Sequence, residues 1–566
     1  MKNIIKSGLI LAVTAVLLTS CDKRGFLAPP PLTNALDKEK TFTDPVNTDK
    51  FLANCYNGLT GGLDDFGNGQ NYALISDEAE AGPAYLATNG VNFGSVDASN
   101  NLDNAYGGLY TYIRRTNVLL SNRELMNGFD KTIKDKFVAE AQFLRAFFYS
   151  ELIKRYAGIP IVTSPVAFED LKDAAAQAKY KANLKRATYA ESVDFVVKQL
   201  DSAAAILPWA VTSDSDRGRA TAAACVALKA KVLLYAASKL FNNNQPAAGN
   251  EPGNSSNPVT GYPNYDVNRW KLAADACREF LTKNQANSNW YYLYTGGYDK
   301  LFTESRDASN HELIWYRQGT SNSAIYCNPA GRLGGYAHSQ TLLNLVDKYE
   351  MTNGKQKDEA GSGYDEQQWW VKRDPRLGMS FVRDGDTYKG VTLEFWPGGK
   401  DYNDTHRTAI FFRKFQRADE NTGLQKWHYI RMADIYLMLA EAENEVSGPT
   451  AEVYTNINLI RSRTGVGMPG IAPGLNQQQM RDKIRNERAV EFAFEAQRYF
   501  DERRWMIAEQ TENAPVYGFK VSKSGNVITH TRYLIENRIF KKRMYLTPIP
   551  VVEIYKGASI EQNPGY

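Results

Sequence analysis

The chain has 566 residues, 43% of them hydrophobic and 23% charged, a composition that excludes an intrinsically disordered protein. Its 67 basic and 63 acidic side chains leave a net charge of +4, too even a balance for a dedicated nucleic-acid binder. Aromatic residues reach 12%, with 33 Tyr and 9 Trp, and the five cysteines are an odd number.

The first predicted element is an export signal. Lys2 and Lys6 form a basic start, and Leu9 to Leu18 an apolar run of ten residues. That is too short for a permanent membrane helix, which needs about 20 residues. The run ends in Leu18-Thr19-Ser20-Cys21, which resembles a bacterial lipobox, the pattern in which the cysteine becomes the first mature residue and carries the lipid. Acyl chains contribute about 0.8 kcal/mol per buried methylene, so an acylated Cys21 is expected to anchor the protein without a transmembrane span. Losing residues 1–20 removes two lysines and no acid, which lowers the net charge to +2. Residues 21–47, with the run Pro29-Pro30-Pro31, read as a lipidated tether and N-terminal lead. The rest, residues 48–566, reads as one domain.

Helical periodicity dominates that domain. From Lys134 to Tyr156 the residues Phe137, Ala141, Leu144, Phe148 and Leu152 recur three or four apart, and Gly158 and Pro160 supply a stop. Val193, Val196, Leu200, Ala204 and Leu207 form a second face before Pro208, and Ala220 to Leu240 an Ala-rich helix suited to close packing. Further helices are predicted to begin near Tyr106, Asn268, Tyr429, Glu452 and Gln477. Their short connections predict a mostly α fold of tetratricopeptide-like helix pairs forming a single frame. An insertion around residues 241–426, rich in Gly, Asn, Pro and aromatics, predicts long irregular loops and a few short strands such as Glu312 to Arg317. Of the remaining cysteines, Cys225 and Cys277 lie on apolar helix faces and read as core residues.

The catalytic and metal signatures fail. The histidines 311, 338, 406, 428 and 530 form no HExxH pair, and neither a GxSxG elbow nor a Walker A loop occurs. The string Gly465-Val466-Gly467-Met468-Pro469-Gly470 follows a helix and contains a proline, so it reads as a helix-terminating loop. Asp384-Gly385-Asp386 lacks the other ligands of a calcium loop and reads as a turn. No metal and no cofactor is expected. One enzymatic alternative is a glycosidase using Glu491 and Glu495, since Glu487, Glu491 and Glu495 recur every four residues and would share a helix face at about 5–6 Å spacing. The interleaved Arg488, Arg498, Arg503 and Arg504 favour instead ionised, paired carboxylates in a structural network with Asp501 and, from the early helix, Arg145.

The same segment, IRNERAVEFAFEAQRYFDERRW from Ile484 to Trp505, resembles the late helix of the SusD/RagB family, matching its pattern at Glu487, Arg488, Glu491, Glu495, Arg498, Tyr499, Asp501, Arg504 and Trp505. Other landmarks follow in family order over more than 400 residues: Ala139 to Pro160, Gly218 to Tyr235, Asp374-Pro375-Arg376, Tyr429 to Asn444, Ile457 to Arg463, Thr547 to Pro550 and Gln562 to Tyr566. The resemblance implies a helical, outer-membrane nutrient-binding lipoprotein on the cell surface. It would act as a lid over a SusC-like TonB-dependent transporter and capture oligosaccharides or, as the alternative within the family, peptides.

The resemblance also implies where ligand contacts fall. Sugar rings pack their C–H faces on flat aromatic rings while Asn, Asp and Arg bond the hydroxyls. The corresponding regions here are Gly61 to Asn104, with Tyr72, Asp77, Tyr85 and Asn101, and Asn287 to Tyr336, with Trp290, Tyr291, Tyr292, Tyr298 and Tyr326. Trp369 and Trp370 form a further exposed candidate or an interface patch. For each aromatic the alternative is a core role beneath a long loop, as expected for the flanking Leu293 and Leu301.

Overall fold

The computed structural model describes residues 37–166, 171, 173–244, 251–303, 310–318, 324–415, 426–555 and 560–566. The export signal, Cys21 and most of the tether lie outside the described residues. The folded frame begins before residue 48: Asp37 and Asp44 accept hydrogen bonds from the backbone of Lys40 (2.7 Å) and Asn47 (2.9 Å), so they cap helices Lys38–Phe42 and Pro45–Tyr56, and Phe42 is buried.

The frame is a series of helices, each packed on its neighbour: α1 Tyr106–Ser121, α2 Lys131–Tyr156, α3 Tyr189–Ala204, α4 Ala222–Ala237, α5 Asn268–Ala286 and α6 Met432–Ser447, followed by α7 Ala451–Arg461 and α8 Gln477–Glu491, both against α6. Local chemistry sets their ends. A Thr188/Glu191 capping box starts α3, an Asn476/Gln479 box starts α8, and Thr221 accepts from the Ala224 backbone at the start of α4. The alanines of α4 are buried, which lets α5 approach closely, and Cys225 and Cys277 are buried free thiols. Helix α2 stops through Ala157, which takes φ 62°, while Gly158 lies so close to the Ala187 carbonyl that an added Cβ would sit 2.2 Å from it. The fold is thus mostly α and tetratricopeptide-like, with mostly short strands and, among the described residues, no barrel.

Two sequence expectations are corrected. Tyr429 does not begin a helix; it lies in strand β1, Lys426–Arg431, which pairs antiparallel with Leu313–Gln318 (β2), and α6 starts only at Met432. Trp315 of β2 is fully buried against Phe143 and Phe147 of α2 and stacks on Tyr429 at 4.6 Å, so the ribbon is riveted to the helical frame. Burying such a ring stabilises by about 1.5–3 kcal/mol, more than helical propensity offers Tyr429. The late helix is also not continuous. α8 ends at Glu491, Phe494 and Ala496 take φ near 60°, and a separate helix, α9, runs Arg498–Arg504.

The irregular region folds over this frame as a second core around Leu74, Tyr298, Val346, Phe381, Phe412 and Phe494. Its sheet has four strands in the order 79–81, 339–341, 410–412, 381–383, all antiparallel. The first strand belongs to the Gly61 to Asn104 region and pairs with Ser339–Thr341, just past the Asn287 to Tyr336 region, so this sheet brings the ends of the two expected ligand regions together. A long hairpin, Pro515–Ser524 with Val527–Asn537, was not anticipated. Its alternating Val, Phe, Ile and Thr around Ser524-Gly525 are the signal that identifies it. Among the described residues no helix is long and apolar enough to cross a membrane.

Candidate functional site

Two of the predicted ligand residues, Tyr85 and Tyr326, converge on His338 beside this sheet. The chain segments Tyr326–Asn328 and Tyr336–His338 are zipped by backbone bonds from His338 to Tyr326 (2.7 Å) and from Ala337 to Asn328 (2.9 Å). They present Tyr326, Tyr336 and His338 together. Tyr326 stacks on His338 at 5.2 Å and 26° and lies tilted against Tyr336 at 5.2 Å and 31°; Tyr85 stands perpendicular to His338 at 6.2 Å. The His338 Nδ1 is 2.6 Å from the Asn68 carbonyl, which can only accept, so Nδ1 carries the proton and Nε2 accepts from the Tyr85 hydroxyl at 3.3 Å. Tyr85 is 77% and Tyr336 54% exposed, which makes a solvent-facing platform with rings at right angles.

Two glycines bring the loops this close. A Cβ on Gly69, where φ is +72°, would lie 2.1 Å from the Tyr326 Cβ, and one on Gly82 would lie 2.3 Å from the Ala337 carbonyl. Gly69→Ala is therefore expected to push Tyr326 off its place and to destabilise the protein by about 1–3 kcal/mol. A chemical-denaturation midpoint equal to that of the unaltered protein would contradict this packing.

The other predicted ligand residues fall elsewhere, and several are corrected. Tyr72 is buried, donates to Asp103 at 2.7 Å and accepts from Arg155 at 2.5 Å. Asp77 is buried too, bound by both arms of Arg498 at 2.8 Å and by Lys348 at 3.2 Å. Burial alone would raise the Asp77 carboxyl, but the two cations hold it well below the usual carboxylate range. Asn101 closes a turn on the Asp103 backbone. In the run Trp290-Tyr291-Tyr292, Tyr291 points into the core against Trp209 and Phe280, whereas Trp290 and Tyr292 flank His311 at 4.6 and 5.3 Å. That group makes no ring contact with the Tyr85–Tyr336 platform among the described residues. Tyr298 is fully buried and donates to the Glu491 carbonyl at 2.8 Å. Trp369 is buried as well, with only Trp370, half-buried under the Arg383 guanidinium at 3.8 Å, left near the surface. Burial excludes these side chains from a ligand because the long loops need large rings beneath them. Sequence reasoning missed Tyr336 and His338 as platform members; the alternation Tyr336-Ala337-His338 was the available signal.

The charged motif residues meet in the interior. Arg431 donates to Glu312 (2.8 Å), Glu491 (2.6 Å) and both oxygens of Glu495 (2.8 and 2.9 Å). Glu491 also accepts from Arg376 (2.9 Å) and Arg463 (2.8 Å), while Glu487 accepts from Arg376 (2.6 Å) and Arg461 (3.0 Å). Lys414 reaches Glu495 at 2.7 Å. A second branch joins Arg488 to Asp501 (2.9 Å) and Arg504 to Asp501 (2.8 Å) and Glu441 (2.5 Å). Glu495 thus leaves the helix face expected of it and still shares Arg431 with Glu491. Arg145 is corrected: it bonds Asn117 (2.9 Å) and Gln199 (3.2 Å), away from this network. Burial would raise the Glu491 carboxyl, yet Arg431, Arg463 and Arg376 hold it at about 2; Glu495 is lowered by Arg431 and Lys414 against the same opposing burial. Neither can hold a proton for donation near neutral pH. Among the described residues no group of His, Cys, Asp or Glu is arranged to hold a metal ion, and Asp384 and Asp386 instead bond the backbone of Phe395 and Arg383.

The chain as a whole matches family models and known proteins. A model described as the SusD family matches residues 299–566, and one described as starch-binding associating with outer membrane matches residues 35–234. Two SusD-like proteins of Formosa agariphila are each 24% identical, one over 434 residues (70% of this chain, 69% of the relative), the other over 475 (81% and 79%). Among solved structures, a SusD-like protein from Bacteroides fragilis superposes with a TM-score of 0.74 at 24% identity, covering 93% of this chain and 98% of that one. A SusD-like carbohydrate binding protein from the same organism gives 0.72 at 20%, covering 91% and 99%. The surface glycan-binding protein A of Bacteroides fluxus gives 0.61 at 18%, covering 91% and 98%.

Proposed function

The chain belongs to the SusD/RagB family, and from that premise we propose that it captures oligosaccharides on the Tyr85, Tyr326, Tyr336 and His338 platform. Family members are carbohydrate-binding surface proteins. The observation that carries the assignment is the exposed pair Tyr85 and Tyr336, set at the rim of a rigid ring stack by long-range backbone bonds. Rings stacked this way offer flat apolar faces to sugar C–H groups, and the phenol hydroxyls lie at the edges for hydroxyl hydrogen bonds. Binding without catalysis agrees with the ionised, charge-paired state of Glu491 and Glu495.

Each stacked ring contributes about 0.5–1.5 kcal/mol, so Tyr336→Ala and Tyr85→Ala are each expected to weaken retention on a neutral polysaccharide gel about 3–10-fold. Tyr292→Ala, which touches only the separate His311 group, serves as the comparison. Retention of both platform variants at the unaltered level, together with loss in Tyr292→Ala, would move the site. Binding of peptides and of no glycan on parallel arrays would favour the peptide-binding alternative.

The reading extends to the cell surface: Cys21 carries the lipid anchor on the outer membrane, and the protein passes its ligand to a SusC-like TonB-dependent transporter. The lipobox and the outer-membrane description of the matching family model support it. Cys21→Ala should abolish incorporation of labelled palmitate and release the protein from membranes. Co-purification of a SusC-like transporter from the native membrane tests the partner, and its absence from a mild-detergent pull-down would count against delivery.

A further inference from the structure

A cleft of about 660 Å³ opens on the helical frame, between the C-terminal end of α4, the helices α5, α6 and α8, and the turn after α9. Its charges are unevenly matched. Arg481 is taken by Glu445 at 2.5 and 2.7 Å, and Glu441 by Arg504 and the Trp505 indole N–H, at 2.5 to 2.7 Å. Arg485, which lines the same cleft, makes no side-chain hydrogen bond or ion pair with any described residue. It lies over the Trp505 ring at 4.9 Å, its Nε is buried without a partner, and burial lowers its guanidinium from the ordinary value even with Glu441 and Glu445 near. Leaving a partly buried guanidinium without an ion pair costs free energy, which an incoming anion would recover. Lys239 stands exposed at the rim, also without an acidic partner among the described residues. The half-exposed Tyr265 and the amide-bearing Gln510 complete the walls.

A planar guanidinium backed by an aromatic ring matches a carboxylate, and tyrosine and amide walls match a hydroxylated ring. We propose that this cleft is a second saccharide site, specific for a uronic-acid unit whose carboxylate pairs with Arg485 and is approached by Lys239. The inference rests on the glycan-binding reading but uses a different surface from the tyrosine platform, so the two fail separately.

The test is calorimetric titration of the full chain with trigalacturonate and with neutral galactotriose. A charge-assisted bidentate pair predicts that Arg485→Gln weakens trigalacturonate about tenfold or more and leaves galactotriose unchanged. Arg485→Lys should recover only part of the loss, because lysine offers no fork. Lys239→Gln, at an exposed position that folding tolerates, should weaken the acid about 2–3-fold and flatten its salt dependence. The proposal is overturned if trigalacturonate fails to bind, if both Arg485→Gln and Lys239→Gln bind it as the unaltered protein does, or if Tyr336→Ala alone removes its binding. Capture of acidic peptides by the cleft with no response to trigalacturonate would overturn it equally. Loss of galactotriose binding in Tyr336→Ala, by contrast, reports on the platform only.

Discussion

Glu491→Gln is expected to destabilise the folded protein by roughly 3–5 kcal/mol, the cost typical of removing one member of a buried ion-pair cluster. Glu491 is fully buried and accepts from Arg376, Arg431 and Arg463 at 2.6 to 2.9 Å. A neutral amide leaves those three guanidinium groups with one charge fewer to offset theirs, and its N–H₂ faces donors rather than acceptors. The loss should appear as a large drop in the urea midpoint at neutral pH, with the circular dichroism of the folded state retained. It also carries a pH signature. The carboxyl is lowered from 4.5 to about 2, so its stabilisation is fully present above about pH 4.5 and disappears as pH falls toward 2. The gap between the unaltered protein and the variant should therefore close over that acid window. A gap that is absent at pH 7, or that persists undiminished down to pH 2, would refute the assignment. If the residue were instead a glycosidase nucleophile, the same variant would abolish release of reducing sugar with stability intact.

Glu78→Gln is expected to act in the opposite direction and in another pH range. Glu78 is buried beside Asp77, with Arg498 and Lys414 also in its field; one oxygen accepts from the Phe494 backbone at 3.0 Å and the other has no partner. Burial pushes its carboxyl from 4.5 up to about 8. Between those values the folded protein keeps a proton that the unfolded chain releases, so stability falls as pH rises from about 4.5 to 8. Each unit of such a shift corresponds to about 1.36 kcal/mol, which puts the accumulated effect at several kcal/mol. Glutamine mimics the protonated acid and cannot ionise. The variant should match the unaltered protein near pH 5 and exceed it in denaturant midpoint at pH 8. Parallel pH profiles for the two proteins would show that Glu78 ionises freely in the folded state.

Glu78 and Glu495 also explain why the late helix divides. Ala493, Phe494, Glu495 and Ala496 carry no local stop signal, so helical periodicity runs through them. The break is imposed from afar: Glu78 accepts the Phe494 N–H, while Arg431 and Lys414 draw the Glu495 carboxylate out of register. Several charged–hydrogen-bond contacts outweigh the few tenths of a kcal/mol per residue that propensity contributes. The same competition moved Tyr429 from a helix start into a strand, where it stacks on the buried Trp315. The ion-pair cluster was legible only in part. Its members were recognisable as motif residues, but Arg376, Arg431 and Arg463 come from three separate segments, and no spacing rule relates them.

The sequence alone determined the helical frame, its caps and the family motifs, because a 3.6-residue apolar period and a capping side chain act within a few residues of each other. Which loop aromatics face solvent was decided only by the tertiary structure. Loops have no period, so a ring points inward or outward according to what distant segment lies beneath it: Tyr72 onto Asp103 and Arg155, Tyr291 onto Phe280, and Tyr85 outward over His338. Tyr85 and Tyr326 could be named as candidates from residue type and region. Their assembly with Tyr336 and His338 required the sheet that pairs Ala79–Ala81 with Ser339–Thr341, a contact across some 260 residues that residue type and local spacing do not encode.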